Sequence, residues 1–163
     1  MELYLMQHGA SLRKEIDPDQ GLSPVGREQV EKTGQALAKM GLDFDLILAS
    51  PKKRSIQSAA VIAEAVGYPL NKILASDSVK PMAPPRELLN LLEENRTRES
   101  VFIAGHLPSL NELTSLLITP ESKASVQFEN SGAARIDIQD FTRPSGTLVW
   151  RLTPFQLQLL ASV

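Results

Sequence analysis

Apolar positions along this chain fall into two alternating rhythms. Two short apolar runs, Leu3-Tyr4-Leu5-Met6 and Val101-Phe102-Ile103-Ala104, and a third strand-like run, Phe44-Asp45-Leu46-Ile47-Leu48-Ala49, have the length and composition of buried strands. Between them apolar residues recur at helical spacing. Ser23-Pro24 supplies an N-cap and a first-turn proline, and Val30, Thr33, Gly34, Leu37 and Ala38 form a stripe that ends near Gly41. A second helix follows Ser50-Pro51, with Ser50 as its cap, and carries Ile56, Ala59, Ala60, Ile62 and Ala63 before Gly67. Lys72 to Ala75 reads as a short strand, and Glu87 to Glu94 as a leucine-rich helix after the Pro81, Pro84 and Pro85 loop. A further helix follows His106, with Pro108 in its first turn and Leu110, Leu113, Leu116 and Leu117 facing inward. Ala133–Ile138 and Thr147–Leu152 alternate as antiparallel or edge strands do.

Strands alternating with helices predict an α/β domain, a three-layer α/β/α sandwich with a mostly parallel central sheet. No repeat, low-complexity tract or linker divides it, so one domain is expected over residues 1–163.

Composition narrows the chemistry. The net charge of −2 offers no global basic field for nucleic acid or anionic lipid, so any attraction for phosphate must be local. The absence of cysteine excludes disulfides, thiolate metal sites and thiol catalysis. With only two histidines, a zinc site is not expected either. No apolar run approaches the ~20 residues needed to span a bilayer, and the amino terminus lacks the pattern of a signal peptide. A soluble, cytoplasmic protein without cofactor is the expectation.

Both histidines stand where a strand gives way to the next segment. His8 follows the first run and precedes Gly9, while His106 ends the third run after Gly105. Ligands of open α/β sheets bind outside the carboxyl ends of the strands, so two imidazoles delivered there can form one site. The second run leads through Ser50-Pro51 into a helix whose first turn carries Arg54. A neutral imidazole is a competent nucleophile toward phosphorus. A guanidinium holds two phosphate oxygens at once, aided by the N-terminal end of its helix. Gly9 would let the backbone approach the ligand, and Ser50 is a secondary ligand contact. Gln57 reads as a loop brace, and Asn130 and Ser131 as a turn or a pocket wall.

These residues resemble the histidine phosphatase superfamily, the phosphoglycerate mutase-like fold. The resemblance rests on Gln7-His8-Gly9, on Ser50-Pro51-Lys52-Lys53-Arg54-Ser55-Ile56-Gln57-Ser58-Ala59 and on Gly105-His106-Leu107-Pro108. The length, Leu22-Ser23-Pro24-Val25-Gly26 and Asn130-Ser131-Gly132-Ala133 are similar to the small SixA-type phosphohistidine phosphatases. The resemblance implies that His8 is the nucleophile and that Arg54 and His106 bind and polarise the phosphoryl group, without a metal. It implies as partner a phosphohistidine-bearing protein, a helical phosphotransfer domain among the candidates, or a small phosphate ester.

Two positions depart from that pattern. Gln7 stands where the family places arginine, and Gly21 where SixA-type chains tend to carry another. A hydrogen bond to a charged group contributes roughly 1.5–3 kcal/mol, so losing the charge at Gln7 weakens transition-state binding by about one to two orders of magnitude. Arg13, in the Ala10–Gly21 loop, is the candidate replacement cation. Larger family members add a carboxylate acid from the region that here holds Asp77, Glu87, Glu93 and Glu94. Glu87 is best explained by its place in a first helical turn. Without an evident acid, the expected substrate is a phosphoramidate, phosphohistidine in a protein. The alternatives are a small-molecule phosphomonoesterase with the same site and a phosphoryl-binding module without turnover.

Overall fold

The computed structural model describes residues 1–163. Its strands are β1 (Glu2–Gln7), β2 (Leu46–Ala49), β3 (Leu74–Ala75), β4 (Ser100–Gly105), β5 (Ala133–Asp140) and β6 (Ser145–Leu152). They form one sheet in the order β3-β2-β4-β1-β5-β6. The first four are parallel, and β5 pairs antiparallel with both β1 and β6. Five helices cover it: α1 (Pro24–Lys39), α2 (Lys53–Val66), α3 (Pro85–Glu94), α4 (Ser109–Ile118) and α5 (Pro154–Ser162).

The period of two in each strand divides the core between the faces. Leu3, Leu5, Leu48 and Ile103 pack against Leu88, Leu89 and Leu92 of α3 and Leu110 and Leu113 of α4. Tyr4, Met6, Ile47 and Phe102 pack against Val30 and Leu37 of α1, Ile62 of α2 and Leu157 of α5. Because both faces are covered, the central strands read as unbroken apolar runs. The expected three-layer α/β arrangement is therefore observed. Truncating one fully buried member, such as Ile103→Ala, should cost about 2–5 kcal/mol. No helix is long and apolar enough to cross a membrane.

Local chemistry sets the helix ends. Ser23 Oγ accepts the Gly26 N–H at 3.0 Å, capping α1 as expected. The cap of α2 is Lys52 rather than Ser50, which lies two residues upstream and turns the chain with its buried hydroxyl. Pro108 likewise precedes α4 as its N-cap, and Leu116 is half-buried. Lys72 closes a 3-10 turn, Leu70–Lys72, which leaves β3 only two residues. Helix α5 was not among the expected elements. Its signal was present in Thr153-Pro154-Phe155-Gln156: Thr153 Oγ1 accepts the Gln156 N–H while Gln156 Oε1 accepts the Thr153 N–H.

The feature that matters for function is where the chain departs from β1 and β4. These strands are neighbours, yet α1 packs on one face of the sheet and α4 on the other. The segments leaving them diverge and open a crevice at the carboxyl edge. Gln7 is in register with Gly105, so His8 and His106 enter that crevice side by side.

Candidate functional site

The two imidazole rings lie with centroids 4.8 Å apart, inclined at 60°. Arg54, in the first turn of α2, completes the group. Its Nε–H donates to His8 Nε2 at 3.0 Å. The other ring nitrogen, Nδ1, sits 2.7 Å from the Gly9 carbonyl oxygen. A carbonyl can only accept, so the proton is on Nδ1 and the Nε2 lone pair is free of one. This is the tautomer a nucleophile requires.

The backbone around His8 is held from three sides. The His8 N–H donates to Gly105 O at 3.0 Å. Asn130 Nδ2 donates to the His8 carbonyl at 2.7 Å, and the Ser131 N–H donates to Gln7 O at 2.9 Å. The Gly9 N–H donates to Ser58 Oγ at 3.0 Å, and that hydroxyl donates to Arg54 O at 2.7 Å. Ser58 thus ties the turn after β1 to the first turn of α2. Ser131 takes a left-handed φ of 66°, and its carbonyl accepts the Thr33 hydroxyl of α1 at 2.8 Å. These clamps were only partly visible in sequence, because each joins segments far apart in the chain.

His106 is provided for differently. It is 2% exposed, and its Nε2 has no hydrogen-bond partner within the protein. Burial, then the neighbouring His8 and the charges of Arg54 and Lys52, push its pKa down to about 3. The His8 pKa is also lowered, chiefly by burial and further by Arg54, against the opposing hydrogen bond to Gly9. Both rings are neutral near pH 7. An oxyanion placed between them would reverse the balance by favouring a proton on His106. No carboxylate pairs with Arg54, whose charge is therefore available to a ligand.

The remaining expected contacts divide. Gln7 ends β1, half-buried, with its backbone paired to Gly105 and Asn130. Packing alone requires glycine at position 9: a Cβ there would meet Val30 Cγ2 at 2.6 Å and Gly26 O at 2.8 Å. Ser50 is fully buried, and its hydroxyl accepts the Lys52 N–H at 3.3 Å, so in this arrangement it supports the turn. Arg13 is exposed on the loop after β1 and pairs with no carboxylate. Gln57 is the loop brace expected of it, with Oε1 accepting the Leu22 N–H at 2.7 Å. Glu87 occupies the first turn of α3, and Asp77 pairs with Lys80 at 2.8 Å.

Comparison with known proteins places the fold. The family model of the histidine phosphatase superfamily (branch 1) matches residues 3–74, from β1 through β3. An uncharacterized protein of Picosynechococcus sp. is 30% identical over 148 residues, 83% of this chain and 88% of the relative. The protein histidine phosphatase SixA, solved with tungstate, superimposes with a TM-score of 0.84 at 21% identity, covering 96% of this chain and 99% of that one. The alpha-ribazole phosphatase of Shigella flexneri does so with a TM-score of 0.74 at 16% identity, covering 94% and 97%. At such identities the two structures speak for the shared fold alone.

Proposed function

Because the chain belongs to the histidine phosphatase superfamily, we propose that it is a phosphatase acting on phosphohistidine in a protein, through a phospho-His8 intermediate that needs no metal. The observation that carries this reading is the state of His8. Its Nδ1–H is committed to Gly9 O, and its unprotonated Nε2 faces the Arg54 guanidinium.

In the first step the His8 Nε2 lone pair attacks phosphorus in line. The bond from phosphorus to the substrate imidazole breaks, and its electron pair stays on the departing nitrogen, which takes a proton from water. Arg54 turns from His8 to the phosphoryl oxygens, where its planar fork offsets their charge. His106 takes up a proton and donates to the same group, giving its buried Nε2 the partner it lacks. In the second step water attacks phospho-His8, the P–N bond breaks, and the pair returns to Nε2. Phosphate leaves with the water's oxygen.

The substrate choice follows from the leaving group. No carboxylate is bonded to His8, His106 or Arg54. An alkoxide needs a proton donor of that kind, whereas an imidazole departs more readily. The test is rapid quenching of enzyme with a phosphohistidine peptide, beside a generic aryl phosphate. Acid-labile label on His8, lost in His8→Ala together with turnover, is the expected result. Label confined to His106, or full activity in His8→Ala, overturns the assignment. Faster turnover of the aryl phosphate favours a phosphomonoesterase, and binding without turnover favours a recognition module.

A further inference from the structure

A cleft of about 610 Å³ opens beside the phosphoryl site and shares Arg54 with it. Its wall is formed by the start of α2 and by the loop after β1. The charge on this wall is one-sided. Lys14, Lys52, Lys53 and Arg54 line it, against Asp19 as the sole carboxylate, in a chain whose net charge is −2. Lys53 is already engaged, with Nζ 2.9 Å from Asp17 Oδ2. Lys14 and Lys52 are exposed and pair with no carboxylate. Ile56 is the one apolar lining residue, so the cleft suits a charged rather than a greasy ligand.

We propose that this cleft is a subsite for a second anionic group on the substrate, with Lys14 and Lys52 as the residues that determine its specificity. The proposal rests on the reading of His8, Arg54 and His106 as the phosphoryl site. A phosphoryl group held by Arg54 would place the adjoining part of the substrate along this wall. The charge of Lys52 is felt as far as His106, which ties the cleft electrically to the reacting centre. Screening confines such effects to roughly 8 Å at physiological salt, so only an anion close to the phosphoryl group would be read. Carboxylates of an acidic protein segment and a second phosphate on a small molecule share this chemistry.

The experiment compares kcat/KM for two phosphohistidine peptides that differ only in flanking Glu or Gln. A small ester carrying two phosphates is compared with its one-phosphate parent in parallel. The wild type should prefer the more anionic member of at least one pair, less so as salt is raised. Lys14→Gln and Lys52→Gln should each reduce that preference about two- to fivefold, the range of exposed ion pairs. Lys72→Gln, at the amino edge before β3, should leave the ratio unchanged. A preference confined to the peptide pair, or to the ester pair, supports the subsite and identifies the source of the anion. Hydrolysis of both members at equal rates overturns the subsite and leaves the phosphatase reading intact. So does a preference that survives in the double variant. Hydrolysis of no substrate at all overturns both.

Discussion

The two histidine turns leave adjacent parallel strands at the same register, yet the fold treats them in opposite ways. Around His8 every hydrogen-bonding position is spoken for: the N–H by Gly105, the carbonyl by Asn130, Nδ1 by Gly9 and Nε2 by Arg54. His106 is more deeply buried, and its Nε2 is left without a partner. The difference matches the two tasks proposed for them. A nucleophile gains from fixed orientation and a defined tautomer. A group that must bind a transient oxyanion gains from a donor position that only the ligand satisfies.

The comparison is tested most severely at Arg54, which hydrogen-bonds the His8 ring from α2. On the proposed mechanism Arg54→Ala removes a bidentate cation from the transferred group, and kcat/KM should fall about 10³-fold. Folding should hold, since the side chain contributes one hydrogen bond and little packing. Circular dichroism and steady-state kinetics together check this. A loss below tenfold would mean that another cation already holds the phosphoryl oxygens.

His106→Asn probes the other turn and should lower kcat/KM about 10²-fold. It also carries a pH signature whose sign follows from the depressed pKa. In the folded chain His106 stays neutral down to about pH 3, whereas in the unfolded chain it takes a proton near the ordinary value of 6.5. Its stabilising contribution is therefore complete above pH 6.5 and declines as pH falls toward 3, by on the order of 5 kcal/mol at most. Urea unfolding at pH 7 and pH 5 should show a smaller acid loss in His106→Asn than in the wild type. Phosphate binding to the wild type should take up a proton, measurable by calorimetry in buffers of different ionisation enthalpy. Identical acid profiles in both proteins would remove His106 from the proton balance.

These contrasts were unequally legible in the chain. The sheet, its layers and the placement of both histidines followed from short apolar runs set between stretches of helical period, because a strand covered on both faces is apolar throughout while a surface helix is apolar on one side. Arg54 was legible for the same reason, being one residue into a helix that starts at a strand end. Helix α5 was missed although Thr153 and Gln156 announced its cap, since its apolar residues show little one-sided spacing. Long-range clamps such as Ser58 to Gly9 and Asn130 to His8 leave no periodic trace. They span 49 and 122 positions and appear only once the chain is folded. The packing demand on Gly9 was hidden on the same ground: the atoms that a Cβ there would meet belong to Val30 and Gly26 of α1 and to Leu22.

Gln7 sharpens the contrast from the strand itself. It stands one residue before His8, the proposed nucleophile, where the family arginine would add a second full charge. Gln7→Arg should tighten inorganic phosphate about tenfold, the lower end of the value of a charged hydrogen bond. Turnover should rise if chemistry is limiting and fall if phosphate release is. Unchanged affinity would show that Lys14, Lys52 or Arg13 already supplies that charge.

The smallest effects should come from the clamps, and they bear most directly on why His8 is so fully held. Ser58→Ala removes the hydroxyl that accepts from Gly9 and donates to Arg54, and Asn130→Ala removes the donor to the His8 carbonyl. Neither side chain is bonded to the imidazole, so each acts by positioning. A neutral hydrogen bond is worth about 1 kcal/mol, which sets a loss of about fivefold in kcat for each variant, with KM little changed. Because Asn130 holds the carbonyl and Ser58 the N–H of the one peptide unit that joins His8 to Gly9, their effects should not add. Once one clamp is gone the turn is already loose, and the double variant should lose less than the product of the two. Strict additivity would mean that the two contacts position His8 independently, and an unchanged kcat in both single variants would mean that the rigidity of the His8 turn has no bearing on catalysis.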